Sequence, residues 1–177
     1  MREYVLLLPI MFIIHDMEEI VGFGTFFRKN PELFERFPRV TNAYRKFTTE
    51  GMALAVYEEF IPFFGISLLA YFFPGDILET LWFGLLIALT AHFVIHIGQC
   101  IYIRKYIPSL ITSVILLPGS LLILVRSAGY ITFDLMTVMI IMGSILLMMA
   151  NLKFAHYLMH RHYGKSVGRG ESGEGQR

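Results

Sequence analysis

Apolar residues dominate five long stretches of the chain, each closed by a short polar, Pro- or Gly-containing segment. They run from about Tyr4 to Phe27, Gly51 to Phe73, Glu79 to Ile103, Pro108 to Val125 and Thr132 to Tyr157. Each approaches or exceeds the roughly 18 residues that read as a membrane-crossing helix. The expected fold is an all-α integral membrane bundle of about five transmembrane helices, formed by residues 1–163. Between the first two spans, residues 28–50 keep a helical spacing in Leu33, Phe34 and Phe37 and again in Tyr44, Phe47 and Thr48. Asn30-Pro31 suits a helix start there, so short helices at the membrane interface are expected, with Arg and Lys toward headgroups. Pro74-Gly75-Asp76 suits a tight turn. Residues 164–177 are rich in Gly, Ser and charge and are expected to form a disordered cytoplasmic tail. The first apolar run continues through His15 with no small-residue cleavage pattern after it, so it reads as a span and not as a signal peptide.

Composition agrees with this reading. The chain of 177 residues is 55% apolar and only 16% charged, against about 25% charged in a soluble domain. A net charge of +1 gives no support to nucleic-acid binding, and the single Cys excludes an internal disulfide framework or a Cys-rich zinc site. Lys and Arg are distributed unevenly. Thirteen fall in the 28–50 loop, at Arg104-Lys105 and near the C-terminus, and two, Arg2 and Arg126, fall on the other side. By the positive-inside rule this puts the N-terminus outside and the C-terminus in the cytoplasm, with an odd number of spans.

Against this background five acids stand out inside spans: Asp16, Glu18, Glu19, Glu58 and Glu59. A charge in hydrocarbon costs about 3 kcal/mol or more, so such groups imply a bound cation, shared protons or a wet cavity. Counted from the basic end of each span, Glu19, Glu58, Glu59, His92 and His96 all lie on the order of 10–17 Å deep. His15 and Glu19 share a face with Glu18 beside it, and His92 and His96 are one turn apart with Gln99 continuing their stripe. Glu58 and Glu59 are about 100° apart around their helix, so Glu59 is favoured as the one facing the centre. Imidazole with carboxylate and no thiolate suits Zn, Fe or Mn. The arrangement is comparable to the inward-facing Glu and His of di-iron bundles, with the order reversed in His15-x-x-Glu18-Glu19. The expected metal ligands are His15, Glu19, Glu59, His92 and His96, with Glu18 or Glu58 as general base. One ion plus a base, or two ions, would both satisfy this set. Two plainer readings stay open: a first span that ends early, leaving the acids in water, or protonated acids that simply hydrogen-bond between helices. His156, His160 and His162 read as part of an interfacial basic cluster, and Asn151 as an interhelical hydrogen-bonder or a cap on the polar cluster.

The run His15-Asp16-Met17-Glu18-Glu19, with Glu59-Phe60 and the stretch from His96 through Arg104, Tyr106 and Pro108 to Pro118, resembles a family of uncharacterised bacterial membrane proteins with an HXXEE motif. The resemblance covers roughly residues 5–160. It implies a catalytic metal site drawn from His15, Glu18, Glu19, Glu59 and His96, and no established activity. Where the family pattern carries Gly after the Pro of the fourth span, this chain has Ser109, a difference that bears on a turn. The expectation is a divalent-metal-dependent membrane enzyme, a hydrolase or di-iron-type oxidoreductase acting on a lipophilic substrate. The alternatives are a proton- or cation-coupled transporter or ion-binding module, and a structural membrane subunit.

Overall fold

The structure, a computed structural model, describes residues 1–173, with side chains described as far as Arg161. Seven α-helices follow one another, with no strand among the described residues: α1 Leu7–Lys29, α2 Leu33–Arg36, α3 Pro38–Thr41, α4 Thr49–Phe72, α5 Asp76–Ile103, α6 Leu110–Ala128 and α7 Leu135–Gly173. A 3-10 turn, Asn42–Tyr44, sits between α3 and α4. Four helices are long and apolar enough to cross a membrane: α4, α5, α6 and α7 from Leu135 to Arg161. α1 has 23 residues, comparable in length, but carries Asp16, Glu18 and Glu19 and is not one of those four. The boundaries of α1, α4, α5 and α6 and the start of α7 fall within a few residues of those expected, whereas α7 runs on to Gly173, well past the expected end at Tyr157. The short helices expected between residues 28 and 50 are present. The boundary of the expected tail, Gly164, falls inside α7, and residues 174–177 lie outside the described residues.

Local sequence explains the helix ends. Thr48 caps α4, its hydroxyl accepting from the Gly51 N–H at 3.0 Å, a contact worth about 1 kcal/mol. Arg28 and Lys29 close α1 where the helix dipole favours cations. Pro62 lies inside α4. It supplies no N–H to the Glu58 carbonyl one turn back, a defect membrane helices accommodate through their neighbours.

α1 packs on α4 and α6, and α5 packs on α4, α6 and α7. α1 and α5 therefore oppose each other diagonally, with side chains filling the space between them. α7 lies against α4 and α5. Its approach to α5 depends on Gly84, where a Cβ would come within 2.7 Å of the Ser144 Cβ. At one end of the bundle Trp82, fully buried and the chain's single Trp, donates from Nε1 to the Val5 carbonyl at 2.8 Å.

At the other end the α5–α6 connection turns back into the bundle. Ile107 and Ser109 are buried, and Pro108 packs so closely on α1 that a Cβ on Gly22 would lie 2.4 Å from its Cβ. Gly22 is seven residues, about 10 Å, short of the end of α1. α6 therefore begins deep and is the shortest of the four apolar spans, at 19 residues. The turn needs two left-handed residues, Arg104 at φ 57° and Ser109 at φ 108°. Lys105 fastens it to the α1–α2 junction through Asn30 Oδ1 at 2.6 Å and Glu32 Oε1 at 2.7 Å. The Lys105 ammonium holds the Glu32 carboxyl below its ordinary range.

Candidate metal centre

His15 and Glu19 on α1 point across the bundle at His92 and His96 on α5. One ligand atom from each residue lies within 4.8 Å of all the others, a group that could hold a metal ion. His96 Nε2 is 2.9 Å from Glu19 Oε1 and 2.9 Å from His92 Nε2. His15 Nε2 is 3.8 Å from the same Glu19 oxygen. The three imidazoles meet edge-on or tilted, with ring centroids 4.3 to 5.2 Å apart. Ligands around a tetrahedral ion with bonds of ~2.1 Å stand about 3.4 Å apart, inside the span of these contacts. His15, Glu19 and His96 are 0%, 3% and 2% exposed.

The hydrogen bonds within the group are incomplete. One N–H on His96 cannot serve both Glu19 and His92. The Glu19 contact is short but lacks the alignment of a hydrogen bond, and His15 Nε2 has no hydrogen-bond partner among the described residues. Buried polar atoms are rarely left so. Their convergence on a common point, with no Lys or Arg among the described residues that line the adjoining cavity, is the arrangement a cation would complete.

The far side of His15 fixes its tautomer. His15 Nδ1 lies 3.0 Å from Thr112 Oγ1, and that hydroxyl donates its proton to Glu18 Oε2 at 2.6 Å. The Thr112 oxygen must then accept from His15 Nδ1–H, leaving the Nε2 lone pair aimed at the group. Such an outer partner is the usual companion of a metal-ligating His. Glu18 also accepts from the Thr112 N–H at 2.8 Å and the Tyr106 hydroxyl at 2.6 Å. Partial burial and the Glu18 hydrogen bond push the Tyr106 phenol up to about 12, so it remains a donor.

The sequence-derived residues therefore separate into three sets. His15, Glu19, His92 and His96 come together. Glu59, with Asp16, lines a cavity of about 200 Å³ beside them, and each has a buried oxygen without a partner. Glu18 and Glu58 are not brought to the group: Glu18 is taken up by Thr112 and Tyr106, and Glu58 does not line the cavity. Gln99 and His156 line it, and it reaches Val40 and Tyr44 in the loop at the basic end. His160 binds the Ala43 carbonyl through Nε2 at 2.7 Å, tying α7 to that loop. The side chain of His162 lies outside the described residues. Thr112 was missed because spans were counted as starting at one surface, whereas α6 starts deep. The Pro108-Ser109 pair ahead of it was the available signal.

A family model for proteins of unknown function with an HXXEE motif matches residues 6–123, from the start of α1 to within α6. No curated protein and no solved structure matches the chain. The matched segment holds all four atoms of the His/Glu group together with Thr112 and Glu59, and it covers well over half of the chain. The chain belongs to the family of proteins of unknown function with an HXXEE motif.

Proposed function

We infer that the protein is an intramembrane metalloenzyme in which His15, Glu19, His92 and His96 hold one divalent ion of the Zn or Fe class. The observation behind this reading is the convergence of four ligand atoms from α1 and α5 within 4.8 Å, three on buried residues and one on the half-buried His92, with no Lys or Arg among the described residues that line the adjoining cavity. Four ligand atoms suit one ion plus a base better than two ions. A bound ion of this kind would supply Lewis acidity and an activated water for hydrolysis, or oxygen chemistry if it is iron. Glu59 borders the cavity on which the group opens and is placed to take a proton as general base. Burial, with the Glu19, Glu59 and Asp16 carboxylates near it, pushes the Tyr44 phenol up, so this residue keeps its proton at the loop side of the same cavity.

In this reading α1 is a fifth span, since its buried acids turn toward α5 and the cavity and leave an apolar face of Ile10, Ile14, Met17 and Val21 exposed. The bias of thirteen basic residues to two supports an external N-terminus and a cytoplasmic C-terminus. A bacterial plasma membrane is the corresponding location.

Metal analysis of the purified protein in nanodiscs tests the proposal. About one Zn, Fe or Mn per chain is expected by the stoichiometry of the site, lost in His15→Ala and His96→Ala and retained in Glu59→Gln. Failure to retain any of these ions after incubation with each would remove the metalloenzyme reading. A transporter reading draws on Asp16 and Glu59, two buried carboxylates outside the ligand group whose cavity reaches the loop. Proton-coupled flux in proteoliposomes, without a tightly held ion, would select it.

A further inference from the structure

Next to the polar cavity is a second one of about 340 Å³. The two share Glu59, His92, Ile95 and Leu152 in their linings, so they lie side by side against the same side chains. Apart from Glu59 and His92 the second cavity is lined by apolar side chains. Phe12 and Phe63, stacked with centroids 4.5 Å apart, form part of its wall. Ala91 and Ile95 on α5 and Met149 on α7 line it and are exposed, within two helices apolar enough to cross a membrane. The gap is local. α5 and α7 touch at Gly84 and Ser144, and it is farther along, where the small Ala88 and Ala91 are among the α5 residues lining the cavity, that the space opens.

Its size and polarity select an occupant. The volume is near the lower end of the roughly 300–1,000 Å³ of small-molecule pockets, suited to one hydrocarbon chain and too small for a two-chain lipid. Among the described residues no Lys or Arg lines either cavity, while Asp16, Glu19 and Glu59 do. A phosphate or carboxylate head would meet carboxyl groups with no side-chain counter-charge. An alcohol, ester or amide can hydrogen-bond to Glu59 and His92 without that cost.

We propose that the protein takes a single-chain lipophile with an uncharged polar head directly from the bilayer between α5 and α7. The chain occupies the apolar cavity and the head sits at Glu59 and His92, beside the ligand group. What happens to the head rests on the metalloenzyme reading; the binding does not.

The probe is a dodecanol carrying a diazirine, photolysed on the protein in nanodiscs, with adducts mapped by mass spectrometry and metal measured on the same samples. Labelling should concentrate on the Ala88–Ile95 and Ile145–Leu152 segments. Excess dodecanol should suppress it at least severalfold, and dodecyl phosphate should not. Ala91→Trp, at the exposed mouth, should abolish it with metal content unchanged, and Met149→Trp should do the same from the other wall. Even labelling over all lipid-facing helices, indifferent to both variants, would overturn the proposal. Equal competition by dodecyl phosphate would overturn the uncharged head. Saturable labelling in a protein that holds no metal would keep this inference and sink the enzyme instead.

Discussion

Thr112 is the residue whose removal separates a metal site from a hydrogen-bonded core. Its hydroxyl passes the hold of Glu18 on to His15 Nδ1, at 2.6 and 3.0 Å. Thr112→Val keeps the shape and deletes the link, and should weaken metal binding by about 10–100-fold, the usual effect of losing such an outer partner. Thr112→Ser should restore most of it. Competition against a chromophoric chelator reads both, and an unchanged affinity in Thr112→Val would show that the His15 tautomer is set by something else. Ser109 supplies a second case. At φ 108° it occupies backbone space that favours Gly, and its Oγ is buried without a partner. Ser109→Gly should stabilise the fold by about 1 kcal/mol, seen as a higher thermal midpoint in nanodiscs. A lower midpoint would mean that the hydroxyl contributes more than the backbone conformation costs.

The helices differ in how much of them could be read from sequence. Apolar length located α4, α5, α6 and the start of α7 to within a few residues, because hydrocarbon leaves helical backbone almost the only choice, but gave no sign that α7 continues past its apolar part to Gly173. The i, i+4 spacing of His15 with Glu19 and of His92 with His96 put each pair on one face, and the depth count put them at one level. The same count failed for α6, whose start is set by Pro108 packing into Gly22, a contact between distant segments that no local period encodes. It also gave no means of deciding between Glu58 and Glu59 beyond a facing angle; packing of α4 against α1 leaves Glu59 6% exposed and at the cavity. Gly84 marks another tertiary dependence. A Cβ there would lie 2.7 Å from Ser144 Cβ and 3.2 Å from the Ile141 Cα. Gly84→Val should therefore push α7 off α5 and destabilise by about 1–3 kcal/mol. Gly98, with nothing within 4 Å of its added Cβ, should accept Ala with little change, and equal effects at both positions would refute the account of the α5–α7 contact.

Charge distribution makes a claim about the bundle as one body. The loop at the basic end and the turn at Asp76 should lie on opposite sides of the membrane. In a Cys100→Ser background, Asp76→Cys and Arg45→Cys place single thiols at two exposed positions on those two sides. A membrane-impermeant maleimide applied to intact cells should label Asp76→Cys alone, with Arg45→Cys reacting only after lysis. The reverse pattern would invert the topology and put the loop-side mouth of the polar cavity outside the cell. Trp82 gives the protein a built-in reporter. Its indole hydrogen-bonds to Val5 in a dry setting, ten residues or about 15 Å along α5 from His92. Its emission should stay blue when a chelator strips the ligand group and turn red only when the helices come apart, so a spectrum from one unlabelled sample can distinguish an inactive protein from an unfolded one.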